Sequence, residues 1–336
     1  MKQLLNTARN GAQLILDTFW VSKYAKAQSL GLVIVFAFIA FYFPNYTGSY
    51  TPLFVAWTMS YVVLAVSWNF FSGKTGYISL ATAAFYGIGV YVQAVYGRQI
   101  PLAGIMLISA ALSFGVGYGI GLATLRLRGI YFTIFTFGLG LFLRQFVHWY
   151  EGVFTRTKGR MVKPYGNVTI FYAMLIVLII TVIAVLIMDK SRFGLSLRCI
   201  GQNEDSAQHT GINTTRTKVL AFAISAAPVG AVGALMSSAI GYIDADIAFN
   251  MNASFFPVLM TIFGGMTIIY GPIVGAIVFY LLQDYLIKAT PFYMIIFGAI
   301  MVFIVLVMPK GVFGTAESLV ISKRGSSAGK KVIGDE

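Results

Sequence analysis

The chain has a single cysteine, Cys199, and two histidines, His148 and His209, among 336 residues. One thiol excludes an intramolecular disulfide and cannot build a thiolate metal cage. The two imidazoles lie too far apart in sequence for a local metal motif. Acidic residues are also scarce, eleven against 24 Lys and Arg, and charged residues make up only 10% of the chain. A soluble domain carries far more charge, because water must solvate its outer shell. An ion-coupled transporter needs an acid within the membrane. Only Asp284 lies inside an apolar stretch, close to its end. Nor do the residues that do acid–base or nucleophilic work gather into a catalytic cluster.

What the chain has instead is hydrophobicity, 58% of residues, and it is segregated. Met174–Met188 and Tyr293–Met308 carry no charged side chain, whereas Asp189–Lys218 carries eight. Roughly 20 apolar helical residues cross a bilayer. The pattern predicts an all-α polytopic membrane bundle of ten spans: Ala27–Phe43, Pro52–Phe71, Tyr77–Tyr96, Pro101–Leu125, Ile130–Val147, Ile170–Met188, Val219–Ile240, Ser254–Phe263, Pro272–Ile287 and Phe292–Met308. The third, eighth and ninth are short or rich in Gly, Thr and Ser and are readable as broken or re-entrant. Residues 1–26 form a cytoplasmic or interfacial segment, 27–310 the membrane domain and 311–336 a cytoplasmic tail. Asp17 interrupts the apolar stretch before Ala25-Lys26-Ala27, so no signal peptide is expected. Leu4, Ala8, Ala12, Ile15 and Phe19 recur at helical spacing, which fits either an interfacial helix or a disordered tail. Tyr42, Trp57, Trp68, Trp149, Tyr150 and Tyr172 fall near span ends as interfacial anchors.

The net charge of +13 is explained by topology rather than by nucleic acid. With both termini in the cytosol, seventeen of the 24 Lys and Arg residues are inside and six outside, with Arg144 within a span. The basic outer loop Glu151–Lys163 runs against this bias; it is readable as a docking surface or as an ordinary solvated loop. Ser72-Gly73-Lys74-Thr75 imitates the end of a phosphate-binding loop, but Trp68 stands where that loop requires glycine.

The longest polar interruption is Asp189–Lys218. Asn203 can cap a short helix with Glu204 and Asp205 at its positive end, and Gly211 can close it in the left-handed conformation. Held between two spans, such a helix can move with them; a plain solvated connector is the other reading. Among polar residues within spans, Asp284 precedes Lys288 by the spacing of a helical ion pair, and Arg144 can snorkel to the outer interface.

Four blocks carry a resemblance. Gly194, Arg198, Asn203, Glu204, Ala207, Gly211 and Ile212 stand in one; Trp68-Asn69, Gly73, Thr75-Gly76, Ser79, Ala83-Ala84-Phe85 and Gly87-Ile88-Gly89 in another. Leu127-Arg128-Gly129-Ile130-Tyr131-Phe132 with Thr136 form the third, and Gly264-Gly265, Tyr270-Gly271-Pro272 and Gly275-Ala276 the fourth. Together they resemble, in order, the permease family of branched-chain amino acid ABC transporters, specifically its LivM-like subunits. The resemblance implies a pathway for branched-chain or other hydrophobic amino acids, with urea and short-amide permeases among the relatives. It implies a second, LivH-like permease subunit, two cytoplasmic ATPase subunits, an external solute-binding protein and a bacterial cytoplasmic membrane. No cofactor binds this chain, ATP being used by the ATPases. It makes Arg198, Asn203, Glu204, Ala207 and Gly211 the ATPase-coupling segment. Asn69, Gly73, Thr82, Gly87, Gly264 and Gly265 are pathway candidates, although close helix packing or helix–helix hydrogen bonding explains the glycines and Asn69 equally well. The chain departs from the family at Tyr77, where Gln is common, and at Ala81-Thr82, where the family usually has a small residue followed by His or Gln.

The orientation is testable without engineering, because Cys199 is the only thiol. A membrane-impermeant maleimide is expected to label it in inside-out vesicles and not in right-side-out ones; the reverse result would overturn the topology.

Overall fold

In a computed structural model, residues 51–302 are described, apart from 125, 126, 128, 157, 267–269, 290, 293, 294, 297, 300 and 301. The first predicted span, most of the tenth, the amino-terminal segment and the tail lie outside the described residues. The chain divides into two units at Pro52, and the second, from Leu53, holds the bundle.

The elements are α1 (Thr51–Trp68), α2 (Thr82–Tyr96), α3 (Leu102–Thr124), α4 (Ile130–Tyr150), β1 (Arg160–Met161), α5 (Asn167–Lys190), α6 (Arg192–Gln202), α7 (Glu204–His209), α8 (Thr214–Ile240), β2 (Tyr242–Ile243), α9 (Ala245–Ala248), α10 (Asn252–Gly264) and α11 (Tyr270–Ala289). Among the described residues, seven helical stretches are long and apolar enough to cross a membrane. The chain is a multi-pass, all-α membrane bundle.

Three of the predicted spans differ in form. The third is not a helix from Tyr77: α2 begins only at Thr82, after a non-helical segment, and Gly87 and Gly89 lie within the helix. The eighth starts earlier, at Ala245, and is broken between α9 and α10. The ninth is a regular helix of 20 residues.

The centre of the bundle is α8, packed against α2 and α3. Lipid tails are as apolar as leucine, so membrane helices associate through close van der Waals contact rather than by escaping water, and small residues permit it. A Cβ on Gly89 would overlap the Gly230 carbonyl oxygen, and one on Gly233 the Tyr86 carbonyl. A Cβ on Gly117 would fit more loosely, 3.1 Å from Ala226 Cβ and 3.3 Å from Ala223 Cα, whereas one on Gly230 would overlap the Ser109 carbonyl of α3. Backbone thus meets backbone along α2, α3 and α8.

Polar side chains collect at the two ends of α8, which its 27 residues separate by about 40 Å at 1.5 Å per residue. At its start, Lys74 pairs with Asp189 and Lys218 with Glu204. Beyond its end, β1 and β2 pair antiparallel, Arg160 opposite Ile243 and Met161 opposite Tyr242. Close to that end Arg144 lies 2.5 Å and His148 3.2 Å from Asp246. Arg144 therefore has a carboxylate partner on α9, where snorkelling alone was expected. Asp284 and Lys288 form the predicted pair at 2.6 Å. The loop at 151–163 is partly structured: a π turn, Glu151–Thr155, prolongs α4, and Arg160 is neutralised by buried Glu151 at 3.5 Å. Trp149, Tyr150 and Tyr172 are exposed, as anchors should be, but Trp68 is buried and hydrogen-bonded.

The backbone contacts set a sharp contrast. Gly89→Ala is expected to destabilise the protein by about 1–3 kcal/mol or more through overpacking. Gly115→Ala, at a position with open space, is expected to stay within about 0.5 kcal/mol. Thermal unfolding in detergent measures both.

Candidate functional site

The chain leaves α1 through a π turn, Asn69–Gly73, makes one more helical step at Lys74 and Thr75, turns at Gly76 with φ +73°, and is then non-helical to Ala81 before α2 begins. Non-helical backbone inside a bundle has no helical partners for its N–H and C=O groups, and lipid supplies none. Here side chains supply them. Trp68 Nε1 donates to the Ser79 carbonyl at 2.7 Å, and Ser79 N donates to Ser72 Oγ at 3.2 Å. From α4, Thr133 donates to the Ile78 carbonyl at 2.9 Å and Thr136 Oγ1 accepts from Leu80 N at 3.1 Å. From α10, Ser254 donates to the Leu80 carbonyl at 2.7 Å and accepts from Ala83 N at 3.1 Å. The first turn of α2, which has no side-chain cap of its own, is thereby tied to a second broken span.

Between this strap and α8 lies a cavity of about 20 Å³ walled by Trp68, Phe71, Ser72, Ser79, Thr82 and Phe222, room for a single water. A larger space of about 300 Å³, almost wholly apolar, lies between α1, α3, α5 and α8.

The sequence-predicted pathway residues divide accordingly. Thr82 lines the small cavity. Asn69 is buried on the π turn, and its Oδ1 has no hydrogen-bond partner among the described residues. Gly73 leaves room for this amide, because a Cβ there would overlap Asn69 Oδ1. Gly87 faces the Phe249 ring, which stacks on Tyr91. Gly264 touches the Gly271 carbonyl, and Gly265 adopts φ +104° where α10 ends. Asn69, Gly73 and Thr82 thus flank the strap, whereas Gly264 and Gly265 belong to the α10–α11 contact.

At the end of the strap sits the polar segment between α5 and α8. Asn203 caps α7 as the sequence predicts, its Oδ1 accepting from Ser206 N at 2.9 Å, and Gly211 turns the chain with φ +85°. Ala207 is buried, and its carbonyl accepts from Thr210 Oγ1 and Ile212 N. Arg198 is half exposed and reaches back to the Asp189 carbonyl at 2.6 Å and carboxylate at 3.2 Å. Glu204 accepts from Tyr77 OH at 2.5 Å and from Lys218 at 2.6 Å. Lys218 is 2% exposed and also lies 4.5 Å over the Tyr77 ring. Burial holds the Lys74 ammonium below the ordinary lysine pKa, partly offset by its bond to Asp189.

Sequence reasoning missed α6, although Ser191 caps it and Phe193, Leu197 and Ile200 repeat at helical spacing. It also missed Tyr77, Lys74, Asp189 and Lys218 as parts of one site. Among the described residues, no cluster of His, Cys, Asp and Glu could hold a metal.

Ser254 serves two backbone groups at once, so Ser254→Ala is expected to cost about 1–3 kcal/mol by leaving them unpaired. Ser254→Thr, which keeps the hydroxyl, should recover most of it. Unfolding midpoints in detergent decide between them.

The sequence pattern of the branched-chain amino acid transport system permease component matches residues 51–305. The chain is 25% identical over 316 residues to the high-affinity branched-chain amino acid transport system permease protein LivM of Salmonella typhimurium, covering 82% of this chain and 72% of the relative. LivM of Escherichia coli matches to the same extent. LivH of Escherichia coli is 25% identical over 288 residues, covering 77% of this chain and 92% of LivH. No solved structure matches. The agreement takes in nearly all of the described bundle, strap and polar segment included, and the chain belongs to the branched-chain amino acid transport system permease family.

Proposed function

We propose that the chain forms part of the translocation pore of an ATP-driven importer in a bacterial cytoplasmic membrane, and that its solute is a branched-chain or other hydrophobic amino acid. The observation that carries this reading is the α6–α7 pair. It is a rigid, capped element at the end of the bundle where the excess of Lys and Arg falls, and it is bonded to α5, to α8 and to the strap. A projecting element with such attachments can pass on the stroke of a soluble motor. Arg198, Asn203, Glu204, Ala207 and Gly211 build it, and the motor is a pair of ATPase subunits that use ATP elsewhere in the complex.

The names of the relatives support the solute class and a pairing with a LivH-like second permease subunit. A solute-binding protein delivers the amino acid from outside. In this reading the chain has ten spans with both termini in the cytosol. Residues 1–26 are an interfacial segment, 27–310 the permease domain with the coupling loop 189–218, and 311–336 a tail. Asn69, Gly73, Thr82, Gly264 and Gly265 lie where spans break or backbones touch and Gly87 lies against the Phe249 ring, and of these Asn69 and Thr82 bring polar atoms to the pathway.

The complete complex in proteoliposomes is expected to take up leucine only with ATP on the ATPase side, with isoleucine and valine competing and urea not. Uptake by this chain alone, driven by a proton or sodium gradient, would overturn the reading.

A further inference from the structure

The strap between α1 and α2 is gripped at one end by the α6–α7 element and at the other by the interior of the bundle. At the α6–α7 end the contacts are dense. A Cβ on Gly201 would overlap the Lys74 carbonyl oxygen, so the backbone of α6 lies directly on the first residue of the strap. Lys74 is bound to Asp189 at the end of α5, and Arg198 of α6 holds the same carboxylate. Three residues further on, Tyr77 OH donates to Glu204 at the start of α7, and Lys218 of α8 binds the other carboxylate oxygen at 2.6 Å. The Tyr77 ring is fixed edge-on against Phe132 of α4 at 5.6 Å. At the inner end of the strap, Ser79 and Thr82 wall the small cavity, and Leu80 and Ala83 are held by Ser254.

Tyr77 and Ser79 are two residues apart, no more than about 7 Å along the chain, so a displacement of the Tyr77 end is carried to the cavity wall at Ser79 by covalent geometry. We propose that the strap is the transmission between the α6–α7 element and the pathway, with Tyr77 and Lys218 as the positioning residues that fasten it to Glu204. The proposal rests on the ATP-driven reading above and adds to it the receiving end. Movement of α6–α7 acts through Glu204 on the strap, and so on the walls at Ser79 and Thr82, not only on the two spans that flank the loop. Tyr77 supplies a hydroxyl that reaches Glu204 and a ring face that Lys218 covers. Lys218 neutralises Glu204, so the joint holds without leaving a buried charge.

The test uses the whole complex in proteoliposomes, with leucine uptake and ATP hydrolysis measured in the same vesicles. Tyr77→Phe keeps the ring and its packing and removes the hydroxyl that donates to Glu204 and accepts from Lys218 at 3.3 Å. It is expected to lower uptake per ATP hydrolysed by about threefold or more, the effect of losing one hydrogen bond. Replacing Lys218 alone would strand the Glu204 charge, so the second variant is E204Q/K218M, which removes both charges together and is expected to lower the same ratio. A wild-type ratio in Tyr77→Phe and in the double variant overturns the proposal. So does a parallel fall in uptake and hydrolysis with the ratio unchanged, because that is the signature of a merely structural joint. Absence of ATP dependence in the unsubstituted complex would instead remove the ATP-driven reading itself, so the two failures are distinct.

Discussion

A peptide group that leaves a helix inside a bilayer meets no water, and each unpaired N–H or C=O costs several kcal/mol there. Regular helices avoid the problem by pairing internally. The stretch from Tyr77 to Ala81 does not, and much of the structure around it answers that one demand. Trp68 serves it from α1, Ser72 from the π turn that follows, Thr133 and Thr136 from α4, and Ser254 from α10. Three elements are thereby fixed around a single irregular segment, and it is this segment that meets the α6–α7 pair. Non-helical backbone at such a place is tolerated because protein surrounds it.

The same scarcity of water explains why α2, α3 and α8 approach so closely. With no hydrophobic gain from leaving lipid, contact distance determines the attraction. The glycines at 89, 230 and 233 bring main chain against main chain, where larger residues would hold the helices apart. The resulting core contrasts with α4, most of whose membrane stretch is uncovered among the described residues. A rigid centre, an irregular strap and a polar element at one end therefore belong to one continuous set of contacts.

Much of this was legible in the sequence where the cause is local. Asn203 and Gly211 announce the start and stop of α7 because capping and a positive φ depend on neighbouring residues. Asp284 and Lys288 pair one helical turn apart. The strap was not legible: Ile78 and Leu80 are apolar, so the segment reads as the beginning of a span, and the hydroxyls of α4 and α10 that hold it lie 55 to 174 residues away. Tyr77 and Glu204 are 127 residues apart, and no spacing rule connects them. Trp68 shows the opposite error. Its place near the end of a span matches an interfacial anchor, yet its indole N–H is needed inside. For α6 the signal was present in Phe193, Leu197 and Ile200, but the charges around them made the stretch look like a connector.

Asn69 shows what such a fold gains from imperfection. Its amide oxygen is sealed from solvent on a widened helical turn and receives no donor among the described residues, which raises the energy of this arrangement relative to any other in which a donor arrives. A rearranged π turn that offered one would recover that energy, so the turn at the head of the strap gives up less by changing shape than a fully paired turn would. An uneven landscape of this kind lets a small external push select between two packings.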